Sequence, residues 1–228
     1  MAYKQSMLKL INEDDDWISL LEQLQETLDD AFFEDLHRMG TDEEYEYEYF
    51  LELMQNLDLE PLGSGHFSSV FVCPWDNSKV IKIGGLHHGT SPMGDGWTSW
   101  AAFCLKHRGK NPLLPYIHHL VVRNRYYVAL LDRLEETDGA ADYWVKDAMD
   151  GFRNINKRHS NKDAWKQGRD LAKLRGASTL HFNDMGGSNT LMEPSGQPKL
   201  SDPMGYSIES SDKVTRILKK LGVYYDND

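Results

Sequence analysis

The chain has only two cysteines, Cys73 and Cys104, among 228 residues. They form no C-x-x-C pair and no His/Cys ligand spacing, which argues against a zinc site, since that ion needs clustered thiolates and imidazoles. Two scattered cysteines without a secretion signal predict reduced, buried thiols rather than a disulfide. Long apolar runs are missing too. None approaches the roughly 18 residues of a membrane span, and Met1 to Lys9 lacks the apolar stretch of a secretory signal. The expectation is a cytoplasmic protein without a membrane partner. There is no basic excess either: the net charge of −11 argues against direct, non-specific nucleic-acid binding.

That charge is unevenly placed. Met1 to Glu60 holds 18 acids against 3 bases, so the remainder is slightly basic. An acidic appendage on a near-neutral body serves solubility or docks to a basic surface. The length suits one domain with a core, or a two-lobed domain with an appendage.

The acidic segment reads as helical. Trp17, Leu21, Leu24, Leu28 and Phe32 recur at steps of three and four and share one face. Gly40 can end that helix, and Thr41 with Glu44 makes a capping-box signature for a second one carrying Tyr47, Phe50, Leu51 and Met54. The alternation of Glu43 to Tyr49 imitates a strand, but the cap and the later period favour helix. After Glu60 the texture changes. Pro61 to Gly65 is turn-like, and Phe67 to Val72 and Val80 to Ile83 are β-prone runs forming a hairpin. His87 to Gly96 is a loop, and Trp97, Trp100, Ala101 and Cys104 make a helical stripe. Leu120 to Arg123 and Arg125 to Leu131 are two more strands. Beyond Glu135 the pattern turns helical, with Ser160 or Asn161 capping a helix to about Thr179 that offers Trp165, Leu171, Ala172 and Leu174 for burial. A loop from His181 to Asn189, a hairpin-like Thr190 to Asp202 and a short helix from Val214 to Leu221 complete the chain.

Three pieces carry chemistry. Gly63, Ser64 and Gly65, with Ser68 following, lie in a turn between β-prone segments, where glycines let the backbone close over phosphate oxygens. Lys82 sits inside an apolar strand, Val80-Ile81-Lys82-Ile83, and its buried charge needs an anion such as a phosphate of ATP. Asp184 and Asn189 stand five positions apart, the step of the kinase catalytic loop, and Asp202 follows on a hairpin. Singly, each has an ordinary explanation: a hairpin turn, a snorkelling lysine, turn-capping side chains. In this order they make the set a protein kinase requires. The predicted fold is α+β and protein-kinase-like: a small antiparallel sheet lobe, a reduced helical lobe and an acidic helical N-terminal extension. The predicted divisions are 1–58, 59–136 and 137–228.

Leu62 to Gly84, Ala102-Phe103-Cys104, Asp184-Met185 with Asn189 and Met192, and Asp202-Pro203 resemble the early serine/threonine kinase of T-seven-type lytic bacteriophages (the Autographivirus group). The resemblance covers roughly Leu62 to Tyr206. It implies an enzyme in the cytoplasm of the infected bacterium that phosphorylates host proteins, transcription and RNA-processing machinery among them, and also itself. It implies ATP and Mg2+ as cofactors. Gly63, Ser64, Gly65 and Ser68 would cover the phosphates and Lys82 would hold them. Asp184 would accept the proton of the attacking hydroxyl, and Asn189 and Asp202 would bind the metal.

Several positions depart from ordinary kinases. No glutamate occurs between Glu60 and Glu135, so the usual helix partner of the strand lysine is missing; Asp95 is the nearest substitute, or else a helix N-cap. Gly186 stands where a lysine is usual, His181 reads as structural, and Asp202 lies in Ser-Asp-Pro. No Ala-Pro-Glu segment follows, and about 25 residues remain after Asp202. Ser207, Ser210 and Ser211 are candidate autophosphorylation sites. Two alternatives stay open: a small-molecule phosphotransferase, and a non-catalytic kinase-like module that sequesters a host protein.

Overall fold

The computed structural model describes residues 2–28, 43–65, 68–85, 96–123, 126–136, 140–155, 159–176, 182, 189–204 and 211–223. By internal contacts the chain divides into two compact units, Met1–Ile81 and Lys82–Asp228. The fold class is α+β. A five-stranded sheet has the order β1-β2-β3-β5-β4, and a separate two-stranded sheet pairs β6 with β7. The strands are β1 Pro61–Ser64, β2 Ser68–Val72, β3 Lys79–Gly85, β4 Ile117–Val122, β5 Tyr126–Asp132, β6 Thr190–Met192 and β7 Pro198–Leu200. No helix among the described residues is long and apolar enough to cross a membrane.

In the first unit, helix α1 (Ala2–Thr27) buries Trp17, Leu20 and Leu24, and Leu28 just beyond it is buried too. Their steps of three and four put them on one face, while Asp14, Asp15 and Asp16 stay exposed. Phe32, Gly40 and Thr41 lie outside the described residues. Helix α2 (Glu43–Gln55) confirms the helical reading of the acid-aromatic run, with Met54 fully buried. Phe50 packs its ring 6.1 Å from that of Phe71, an inward residue of β2. The turn-like reading of Pro61 to Gly65 is corrected: Pro61–Ser64 pairs antiparallel with β2, with an irregularity between Pro61 and Gly63. A proline opening an edge strand and a glycine at a bulge give up no needed ladder donor, so turn-type composition is compatible with this strand.

The second unit is built around β5, whose Tyr126 to Leu131 are buried without alternation, as a strand covered on both faces requires. Its register with β4 pairs Leu120 with Ala129 and Val121 with Val128. Helix α3 (Trp97–Lys106) buries every residue from Trp97 to Cys104, so the expected stripe is a helix enclosed on all sides. Its N-cap is Gly96, with no side-chain cap; Asp95, expected as cap or lysine partner, lies outside the described residues. Both cysteines are free and buried, as expected.

Helices α4 (Ala140–Phe152) and α5 (Lys162–Arg175) pack closely, because a Cβ at Gly151 would overlap the Trp165 backbone and one at Gly168 the Ala148 backbone. Asn161 caps α5 as expected, its side chain accepting from Asp163 N and Ala164 N. Leu171 is fully buried, whereas Trp165, Ala172 and Leu174 are only half-buried. Helix α6 (Ser211–Leu221) is the expected last helix, begun three residues early.

Candidate active site

The hairpin expected from Thr190 to Asp202 forms. Thr190 pairs with Leu200, Leu191 with Lys199 and Met192 with Pro198. Gly196, at φ +84°, supplies the left-handed residue of its turn. Antiparallel pairing carries on past the strands: Asn189 O accepts from Ser201 N at 3.0 Å and Asp202 N at 3.5 Å. The register thus sets Asn189 opposite Ser201 at the open end of the hairpin, with Asp202 one residue further on. The hairpin is anchored to the segment before β4. Leu200 N donates to Leu113 O at 2.9 Å, and the buried Lys199 Nζ donates to Leu114 O at 3.1 Å while pairing with Glu193 Oε1 at 2.8 Å.

Strand β3 delivers Lys82 to the same place. Its Nζ lies 2.7 Å from Asp202 Oδ2, with the lysine side chain 9% exposed and the aspartate 27%. An ammonium so enclosed carries a desolvation cost that needs an anion beside it. Asp202 is that anion, and the Trp97 ring adds a second attraction, its centroid 4.9 Å from Nζ.

Helix α3 grips the backbone that leads from β7 to Asp202. Trp97 Nε1 donates to Ser201 O at 3.2 Å and Trp100 Nε1 to Leu200 O at 3.0 Å. A spacing of three places both indoles on one helix face, so they take two successive carbonyls. Trp97 also stacks on Tyr127 of β5, centroids 4.7 Å apart at 15°. Tyr127 needs the bare backbone of Gly84 in β3, where a Cβ would overlap its ring. The sequence reading placed both tryptophans in a helical stripe and gave them no polar role. Two indole N–H groups one turn apart in an enclosed helix, each obliged to find an acceptor, were the available signal.

Asp184 lies outside the described residues, as do Gly186, His181, Ser207 and Ser210; Ser211 opens α6. Phe182, two residues before Asp184, packs edge-on to Trp100 at 5.5 Å and against Phe152 at 4.7 Å. In the first unit, Gly63 and Ser64 belong to β1 and Ser68 opens β2. Gly65 N donates to Ser68 O at 2.8 Å, so that N–H serves the turn.

A second cluster was not foreseen. Asp147 and Asp150, one turn apart on α4, face His159, and their ligand-type atoms lie within 4.8 Å of one another. His159 Nδ1 is 3.3 Å from Asp147 Oδ1 and its Nε2 is 3.2 Å from Ile155 O, while Asp147 Oδ2 accepts from Asn161 N at 2.6 Å. Burial alone would raise the Asp147 carboxyl; the hydrogen bonds from Asn161 N and His159 outweigh it and hold the group below its ordinary value. The set is of metal-ligand type, but Asp147 and His159 are engaged by the turn entering α5, which is the role their geometry supports.

A magnesium nucleotide needs an ammonium for phosphate oxygens and hard oxygen ligands for the cation in one place. Lys82 and Asp202 supply one of each, side by side, with the carboxylate the more exposed. The donor set fits.

A family model described as bacteriophage T7 protein kinase 0.7 matches residues 24–219. No curated protein matches the chain.

Proposed function

Because the chain belongs to the bacteriophage T7 protein kinase family, we propose that it is an ATP-dependent serine/threonine protein kinase that phosphorylates host bacterial proteins and itself in the cytoplasm of the infected cell. The observation that carries this reading is the 2.7 Å pair between Lys82 and Asp202. It joins a buried strand ammonium to a carboxylate 120 positions away, as phosphoryl transfer requires of its phosphate anchor and its metal ligand.

In this reading Lys82 holds the α- and β-phosphates, and Gly63, Ser64, Gly65 and Ser68 cover them. Asn189 and Asp202 hold magnesium, and Asp184 takes the proton of the attacking serine or threonine hydroxyl. The bound metal neutralises charge on the phosphates. The chain's own contribution is positioning. The Asn189 carbonyl and the two indoles fix the backbone on both sides of Ser201, so the Asp202 carboxylate needs little reorganisation when charge develops. The proposal includes a two-lobed protein-kinase-like arrangement with divisions at 1–58, 59–136 and 137–228. It takes transcription and RNA-processing proteins as the host substrates.

The test is expression in bacteria of the wild-type chain and of Lys82→Met, followed by mapping of phosphoserine and phosphothreonine on host proteins. New sites with the wild type that disappear with Lys82→Met are expected. Equal patterns, or no new site with the wild type, would sink the reading.

A further inference from the structure

Between Glu60 and Glu135 the chain contains no glutamate, so a helix in that stretch has none to offer Lys82. What α3 offers is Trp97. The indole is 1% exposed and makes three contacts that converge on one pair of side chains. Its ring lies 4.9 Å from Lys82 Nζ, its N–H is bonded to the carbonyl of Ser201, next to Asp202, and it stacks on Tyr127. Tyr127 is itself buried and closely fitted over Gly84, two residues along β3 from Lys82.

We propose that Trp97 is the positioning residue of the Lys82–Asp202 pair, holding the ammonium against its ring and the backbone next to the aspartate through its indole N–H. The proposal rests on the kinase reading only in giving that pair its catalytic purpose. The physical difference from a carboxylate partner is definite. A second carboxylate would neutralise the lysine and compete with Asp202 for its N–H donors. A ring face attracts the cation through its quadrupole and leaves the formal charge in place for an anionic ligand. The arrangement also couples two elements. Any shift of α3 that moves Trp97 disturbs the lysine and the carbonyl beside Asp202 together, so the helix sets both ends of the pair.

The test uses the full chain as wild type, Trp97→Phe and Trp97→Leu, each checked for folding by circular dichroism and thermal unfolding. The first readout needs no catalysis: the rate at which an N-hydroxysuccinimide acetate ester acylates Lys82 in the nucleotide-free protein, followed by mass spectrometry. The second is the KM for MgATP against kcat. Trp97→Leu should speed Lys82 acylation about tenfold and raise the KM. Trp97→Phe keeps a weaker ring face and should fall between the two in acylation. If Trp97→Leu does not fold, Trp97→Phe against wild type decides, with a rise of about two- to threefold expected. Acylation at the wild-type rate in a folded variant overturns the proposal. Faster acylation in the variants of a chain whose wild type transfers no phosphate would support the hold on Lys82 and sink the kinase reading instead.

Discussion

Replacing Asp202 by Asn, Lys82 by Met, and both together isolates the energy of the Lys82–Asp202 charge pair. At 2.7 Å two unit charges attract by about 1.5 kcal/mol in bulk water and about 6 kcal/mol at an effective dielectric constant near 20. The lysine side chain is 9% exposed and the aspartate 27%, so the environment lies between these limits. The expected coupling in a double-mutant cycle is about 2–3 kcal/mol. The single changes should be unequal. Asp202→Asn leaves a buried ammonium with, among the described residues, the Trp97 ring beside it and should cost about 3 kcal/mol. Lys82→Met leaves a carboxylate that can turn toward water and should cost less. For a chain of this length about 3 kcal/mol lowers Tm by roughly 6–12 °C. Urea unfolding of the four proteins gives the cycle, and repetition in 1 M salt should change it little, because an enclosed pair is weakly screened. A coupling below about 0.5 kcal/mol would refute the pair and the site built on it.

Other outcomes follow from the same structure. Gly168→Ala places a methyl group into the Ala148 backbone and should destabilise the chain by about 2 kcal/mol or more, measured by urea unfolding; a neutral result would contradict the close approach of α4 and α5. Burial raises the Cys73 thiol and raises that of Cys104 well above its ordinary value, so a disulfide-exchange reagent at pH 8 should titrate neither until denaturant is added. Asp147 titrates below its ordinary value in the folded chain, so its ionised form contributes stability that is present above the unfolded value near 4 and is lost as pH falls through the folded value. The stability difference between wild type and Asp147→Asn should therefore shrink as pH falls below about 4; a difference that grows below that point would reverse the assigned cause.

Local signals were legible in the sequence wherever a few neighbouring residues decide the outcome. The Asn161 cap, the buried face of Trp17, Leu24 and Leu28, the β-prone runs around Lys82 and Val128, and the hairpin ending at Asp202 all rest on short-range spacing, and all appear. The Pro61–Ser64 strand was hidden because proline and glycine, which usually mark turns, are also tolerated at an edge. The enclosure of α3 depends on elements that cover it from several directions, so eight consecutive buried residues leave no periodic trace. At the site, Lys82, Asn189 and Asp202 were singled out from their order along the chain. The two indoles and the Asp147–His159 cluster were not, because their partners are backbone carbonyls, a backbone N–H and side chains brought together only by folding.

The central claim, that Lys82 and Asp202 form the phosphotransfer site of a protein kinase, is tested most directly by transfer of the γ-phosphate of MgATP to bacterial proteins by the purified chain, beside Asp202→Asn held below its own Tm. The account predicts incorporation into serine and threonine that falls at least about a hundredfold in the variant. Equal incorporation by the folded variant, or none by the wild type, would contradict it.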